Sequence, residues 1–178
     1  MKLTWFGGTT LRVYLGGEIV VVDAAQAPEG VNRLELTSGA NRTVTLGDTN
    51  PWVDPQTWRP PRPVRAMDEA RSVEIFSIGP ETCLISGEGD PPVLICNAVE
   101  LPRLGHWVDG AVMVLFGDRG AALAEAVMAL DLAKPRHLVL AADEETVDGL
   151  VDRFDAIDDR LWAELSFSSL EPGLALEV

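Results

Sequence analysis

Few side chains of this 178-residue sequence belong to the types that build catalytic or metal sites. There are two histidines, His106 and His137, and two cysteines, Cys83 and Cys96. A zinc site needs several His, Cys or carboxylate ligands at close spacing, and neither histidine has a second His or Cys near it. The sequence also lacks the Gly-x-Ser-x-Gly turn that presents a nucleophilic serine in many hydrolases. These residue types argue mostly against an enzyme.

The two cysteines flank a predicted β-hairpin whose turn lies in residues 87–92. Because both are about equally far from the turn, one interpretation pairs them across the strands as a disulfide or redox pair. The other interpretation is two small buried thiols in a reducing compartment. We favour the second interpretation.

The composition limits the class of partner. Fourteen basic and 28 acidic residues give a net charge of −14, with a pI near 4.4. Nucleic acids and anionic membranes require clustered Lys and Arg, so we expect neither as a partner.

An apolar fraction of 47% excludes a disordered chain, and the longest apolar runs, residues 110–116 and 138–142, are too short to span a bilayer. The first residues carry no signal-peptide pattern, and we expect a cytoplasmic protein.

The hydrophobic pattern predicts a mixed α/β chain. Helices are predicted over residues 120–132, with Asp118 as the N-cap, and over residues 144–165. Strands are predicted over residues 3–6, 9–15, 18–23, 32–36, 72–78, 82–86, 93–97, 111–116, 137–142, 166–170 and 174–178, with another near Val44. The strand, helix and strand between residues 111 and 142 form a βαβ unit, which requires a parallel pair.

Residues at about 45–70 form a segment with an unusual composition. The segment contains five prolines and two tryptophans, Trp52 and Trp58. Proline disfavours both helix and strand, so we predict an irregular excursion from a single domain spanning residues 1–178. The tryptophans either anchor a partner or hold the segment against the core, and we favour the core. The segment and the apolar content together favour self-association as a homodimer.

The chain contains an internal echo. Residues 5–24 and residues 76–98 both follow the order strand, glycine break, strand, glycine-rich turn and buried strand. Two such halves suggest two sheets related by a pseudo-twofold axis.

The two ends of the sequence resemble a known family. The opening contains Trp5-Phe6-Gly7-Gly8-Thr9-Thr10, then Gly16-Gly17, then Val20-Val21-Val22-Asp23. It resembles the start of metallo-β-lactamase-fold hydrolases, especially the small lactonase-like branch near L-ascorbate-6-phosphate lactonase. Residues 109–140 are similar to the family's late βαβ segment, and residues 168–176 to its closing strands. The resemblance implies an α/β fold, a shortened two-sheet αββα sandwich of metallo-hydrolase type.

The family holds one or two metals on a His-x-His-x-Asp-His loop after an early strand. The corresponding loop should follow residues 34–36 and reads Thr37-Ser38-Gly39-Ala40-Asn41-Arg42-Thr43, which contains no metal ligand. Arg42 would place a permanent positive charge where the cation lies. The family's later ligands would fall near Asn97 and Ala142, again without a match. The resemblance therefore implies a vestigial ligand-binding site made of Ser38, Asn41, Arg42, Asn97 and Asp143.

From these observations we expect a metal-free, non-catalytic binding or assembly module with no cofactor and no catalytic residues. Its ligand would be a small molecule or a protein. The alternative is a hydrolase of the same superfamily that uses non-standard ligands drawn from Asp23, Asp48, His106 and Asp143.

Overall fold

The structure, a computed structural model, describes residues 1–47, 50–61, 73–129, 132–157 and 166–178. These residues form two β-sheets. The first sheet has the order β11-β1-β2-β3-β4 and consists of β1 (Lys2–Gly7), β2 (Thr10–Leu15), β3 (Glu18–Val22), β4 (Arg42–Val44) and β11 (Ala175–Glu177). The second has the order β10-β9-β8-β7-β6-β5 and consists of β5 (Glu74–Gly79), β6 (Thr82–Ser86), β7 (Val93–Cys96), β8 (Val112–Phe116), β9 (His137–Ala141) and β10 (Ser166–Leu170).

The sheets pack face to face, and helices lie on both outer sides. The core between the sheets contains alternate residues of facing strands, such as Val20 and Val22 from β3 and Val93 and Ile95 from β7. Helices α2 (Gly117–Ala129) and α3 (Glu144–Ile157) cover the outer face of the second sheet. The short helix α1 (Arg33–Thr37) covers the first sheet. The predicted α/β two-sheet sandwich is confirmed.

The internal echo is visible in the strand register. In the first hairpin, Trp5 pairs with Leu11 and Gly7 with Thr10, so one residue is skipped between the two pairs. In the second hairpin, Ser77 pairs with Cys83 and Gly79 with Thr82, with the same skip. Each hairpin then adds an antiparallel strand, β3 or β7, followed by a parallel strand, β4 or β8.

The predicted strand over residues 32–36 is wrong, because residues Arg33–Thr37 form α1. Asn32 begins this helix, and its side-chain oxygen accepts a hydrogen bond from the Leu34 backbone N–H at 3.1 Å. Leu36 packs against Val21 on the outer face of β3, while Leu34 remains exposed. The alternation of Leu34 and Leu36 is typical of a strand. The Asn32 cap and the burial of Leu36 alone instead favour a helical turn.

The predicted start of the helix over residues 120–132 needs adjustment. Helix α2 begins at Gly117 directly after β8, so Asp118 lies in its first turn and is not the N-cap. Gly117 has φ +54, which allows this abrupt change from strand to helix. The predicted helix over residues 144–165 is confirmed as far as Ile157. Residues 158–165 of that prediction, residues 130–131 of the first helix, and residues 48–49 and 62–70 of the Pro/Trp-rich segment lie outside the described residues.

The described part of the Pro/Trp-rich segment packs against the second sheet. Trp58 contacts Phe76 and Trp107 in edge-to-face geometry, and the Trp107 indole N–H donates to the Pro55 carbonyl at 2.6 Å. Trp52 forms an isolated parallel bridge with Ser77 at the sheet edge, and 67% of its surface is exposed. The prediction that the tryptophans hold the segment against the core is therefore confirmed for Trp58. Within the described ranges, no helix has the length and apolar character needed to cross a membrane.

Candidate functional site

The sandwich has two ends that differ in what they carry. One, the hairpin end, contains the β2–β3 turn packed against the β6–β7 turn, where the Gly16 N–H donates to the Asp90 carboxylate at 2.6 Å. The other, the carboxyl end, contains the carboxyl termini of β3, β4 and the parallel strands β7 to β10. Ligands of open α/β sheets bind at the carboxyl ends of strands, so the carboxyl end is the candidate site.

Asp23 follows β3 at the carboxyl end and is 4% exposed. Its carboxylate accepts the Thr9 hydroxyl at 2.5 Å with one oxygen and the Leu46 backbone N–H at 2.8 Å with the other. Its carbonyl accepts the Thr10 hydroxyl at 3.0 Å, and its N–H donates to the Val44 carbonyl at 2.8 Å. Asp23 therefore ties β1–β2, β3 and the residues after β4 together, and both of its carboxylate oxygens are already engaged.

Three predicted site residues lie at the hairpin end. Ser38, Asn41 and Arg42 precede or begin β4, whose register pairs Arg42 with Val20. The Arg42 guanidinium forms an ion pair with Glu18 at 3.5 Å, and Asn41 exchanges hydrogen bonds with the backbone of Ile19. These contacts close the edge of the first sheet.

The other two predicted residues lie at the carboxyl end. Asn97 follows β7 and Asp143 follows β9. The Asp143 carboxylate accepts the Thr146 backbone N–H at 2.9 Å, which caps α3 and lowers the pKa of Asp143. The structure therefore divides the five predicted residues between opposite ends of the sandwich and does not assemble them into one site.

The wrongly predicted strand over residues 32–36 explains this division. The prediction places residues 37–43 after the carboxyl end of that strand. Because residues 33–37 form a helix instead, this segment leads into the amino end of β4. The strand beside β3 is β4, so the loop at the candidate site is residues 45–50, Thr-Leu-Gly-Asp-Thr-Asn. That loop has no histidine or cysteine, and its Asp48 lies outside the described residues.

Of the described residues of the hydrolase alternative, His106 lies at the opposite end of the sandwich from Asp23 and Asp143. His106 precedes the amino end of β8, is fully exposed and lies 3.7 Å from Asp109. Asp23 and Asp143 follow the carboxyl ends of β3 and β9. Among the described residues, no group of three or more His, Cys, Asp and Glu side chains is arranged to hold a metal ion.

His137 has a hydroxyl on each ring nitrogen. Nδ1 lies 2.8 Å from the Ser166 hydroxyl and Nε2 lies 3.0 Å from the Ser168 hydroxyl. A catalytic triad would place a carboxylate on one of these nitrogens. Burial, and then the charge of Arg136, lower the pKa of His137. The neutral ring therefore links β9 to β10.

The two cysteines are buried and free. Cys96 pairs with Thr82 in the register, one position away from Cys83, so the two thiols lie on opposite faces of the second sheet. Burial, the Asp23 charge and Cys96 raise the pKa of Cys83 to about 12. The interpretation as two buried thiols is confirmed, and the cross-strand disulfide is wrong.

Sequence reasoning missed a cleft of about 520 Å³ beside Asn97, at the carboxyl end of β7. Its lining consists of Pro80, Glu81, Asn97, Ala98, Val99, Glu100, Leu101, Pro102 and Arg119. The signal in the sequence is a pair of proline-containing loops, residues 79–81 and 97–102, at the ends of β5 and β7. Such loops at strand ends commonly carry function.

Glu81 organises this cleft. It has φ +46, a left-handed conformation that costs about 1–3 kcal/mol for a residue other than glycine. Its carbonyl accepts the Asn97 N–H at 3.0 Å and its carboxylate accepts the Asn97 side-chain amide at 2.7 Å. The same carboxylate oxygen lies 4.0 Å from the Arg119 guanidinium. Both polarities of charge therefore meet in one cleft with apolar walls.

Comparison of the chain with protein-family models finds no match, and comparison with curated proteins finds none either.

Proposed function

We propose that this chain is a metal-independent, non-catalytic binding module on a shortened metallo-β-lactamase-like αββα scaffold. The observation that carries the proposal is that the loop after β4, where a metallo-hydrolase would hold its metal, has no histidine or cysteine. At the same end of the sandwich, the Asp23 carboxylate is buried and both of its oxygens accept hydrogen bonds from the protein. This carboxylate therefore stabilises the fold.

Two further observations support the proposal. Each hairpin unit is followed by a parallel strand, which gives the layered arrangement expected of the scaffold. In place of a metal centre, the carboxyl end offers the cleft beside Asn97, whose volume falls within the range of about 300–1,000 Å³ found for small-molecule sites.

Metal analysis of untagged protein tests the proposal. Purified protein should contain far less than one zinc, manganese or iron per chain, and adding each metal should not raise its melting temperature. About one tightly bound metal per chain would overturn the proposal, as would a metal-dependent hydrolysis of a lactone or phosphodiester that EDTA abolishes. Asp23→Asn serves as the control, since its metal content should equal that of the wild type.

A further inference from the structure

We infer that the cleft beside Asn97 binds a small zwitterion with an aliphatic body, of the class of an apolar α-amino acid. This inference deepens the proposed function and rests on it. The cleft contains one cation, Arg119, and two anions, Glu81 and Glu100. A ligand with both a carboxylate and an ammonium group complements this set, whereas a ligand with a single charge leaves part of it unmatched.

Arg119 is available for a ligand carboxylate. Its side chain is 63% exposed, and its guanidinium lies 4.0 Å from the Glu81 carboxylate, at the outer limit of an ion pair. Exposed pairs of this kind contribute little to stability, so exchanging Glu81 for a ligand carboxylate costs little. Arginine also suits a carboxylate because its planar guanidinium can donate two parallel hydrogen bonds.

Glu81 is held in place before any ligand arrives. Two hydrogen bonds with Asn97, one through the backbone and one through the side chains, fix both its carbonyl and its carboxylate. A fixed carboxylate binds an ammonium group without first losing side-chain freedom. Glu81 remains 48% exposed, so its carboxylate is accessible from the cleft.

The remaining walls are apolar and suit an aliphatic side chain. They are formed by Pro80, Ala98, Val99, Leu101 and Pro102. The overall charge of −14 adds a second argument for a zwitterion. A purely anionic ligand would be repelled by the negative charge of the whole protein. A purely cationic ligand would form no ion pair with Arg119.

Nuclear magnetic resonance titration of the full chain with three probes tests the inference. The probes are L-leucine, 4-methylpentanoate, which lacks the ammonium group, and 3-methylbutylamine, which lacks the carboxylate. Leucine should shift the backbone amides of residues 97–101, and each analogue should bind at least tenfold more weakly. Arg119→Gln should weaken leucine at least tenfold without changing the affinity for the amine. Glu81→Gln should weaken leucine but should not weaken the acid, because Glu81 competes with the acid for Arg119.

Arg153→Gln and Glu125→Gln are matched controls, because these residues form a similar exposed pair at 2.8 Å on α3 and α2, away from the cleft. Both should bind leucine like the wild type. The inference is overturned if leucine leaves residues 97–101 unshifted, or if either analogue binds as tightly as leucine. If the protein contains no metal and does not bind leucine, this inference alone is refuted. If the protein binds one metal per chain, the proposed function is refuted.

Discussion

Replacing Asp23 should destabilise the protein strongly, because its carboxylate ties three parts of the first sheet together. Asp23→Ala removes two hydrogen bonds to a charged group, each contributing about 1.5–3 kcal/mol. It also places alanine at φ +50, which adds about 1 kcal/mol. The free energy of unfolding should therefore fall by about 4–7 kcal/mol, a large part of the roughly 5–15 kcal/mol that a domain has. Urea unfolding followed by tryptophan fluorescence measures this loss.

Asp23→Asn keeps the experiment informative if the alanine variant does not fold. Asparagine tolerates the left-handed conformation, and its amide can accept from Leu46 and donate to the Thr9 hydroxyl. The free energy of unfolding of Asp23→Asn should fall by only about 1–2 kcal/mol, because the hydrogen bonds persist without the charge. Thr9→Val combined with Asp23→Asn should be non-additive, as expected for groups in contact. Asp109→Ala, an exposed carboxylate, should change stability by under about 0.5 kcal/mol. An Asp23→Ala protein within 1 kcal/mol of wild type would refute the structural role.

Three further predictions concern titratable groups. Because burial raises the pKa of Cys83 to about 12 and also raises that of Cys96, the folded protein should not react with Ellman's reagent, and urea should release two thiols; a fast native reaction would contradict this. The pKa of His137 is lowered in the folded protein, so the unfolded chain binds the proton more tightly. The stability of the wild type should therefore fall relative to that of His137→Gln as the pH drops below about 6.5. An equal difference between the urea midpoints of the two proteins at pH 7.5 and pH 5.5 would contradict this prediction. The pKa of Asp143 is also lowered, so Asp143→Ala should reduce the melting temperature at neutral pH, and the difference should shrink as the pH falls below the ordinary value of 3.8; a constant difference would argue against the cap.

The sequence predicts the central strands well because their pattern is unambiguous. Strands β8 and β9 are continuous apolar runs, which is typical of parallel strands buried on both faces. The first hairpin follows from the pairs Gly7-Gly8 and Gly16-Gly17 beside an alternating segment, and the second from the glycine-rich turn at residues 87–92. Helix α1 could not be predicted in the same way. Five residues are too few to show a helical period, and its position depends on Asn32 and on the contact of Leu36 with Val21.

The candidate site was less predictable because it depends on which strand ends are neighbours. Reading residues 32–36 as a strand shifted the candidate loop by one element and moved Arg42 to the wrong end of the sandwich. The cleft beside Asn97 depends on three segments that are distant in sequence: Glu81 lies between β5 and β6, Asn97 follows β7, and Arg119 lies in the first turn of α2. The residue type of Glu81 does not mark its left-handed conformation, which occurs in the two-residue turn between β5 and β6 beside two hydrogen bonds to Asn97.

The internal repeat places two chemically different residues at equivalent positions of the carboxyl end. Thr10 and Thr82 begin the second strand of each hairpin, and both are buried. The Thr10 hydroxyl donates to the Asp23 carbonyl, whereas the Thr82 hydroxyl lies 3.4 Å from the Cys96 sulfur and also donates to the Pro80 carbonyl. Asp23 and Cys96 are therefore equivalent positions with different chemistry.

In the first half, the charged side chain gathers backbone and hydroxyl donors and closes the edge. In the second half, the neutral Cys96 thiol accepts from the Thr82 hydroxyl and packs towards the helices. The next residue, Asn97, pairs with Glu81 at the surface and lines the cleft. The exchange of aspartate for cysteine between the repeats therefore replaces a buried carboxylate with a thiol beside the cleft. Cys96→Asp would bury a carboxylate there, so it should shift the backbone amides of residues 97–101 and reduce leucine binding, while Cys96→Ala should preserve leucine binding.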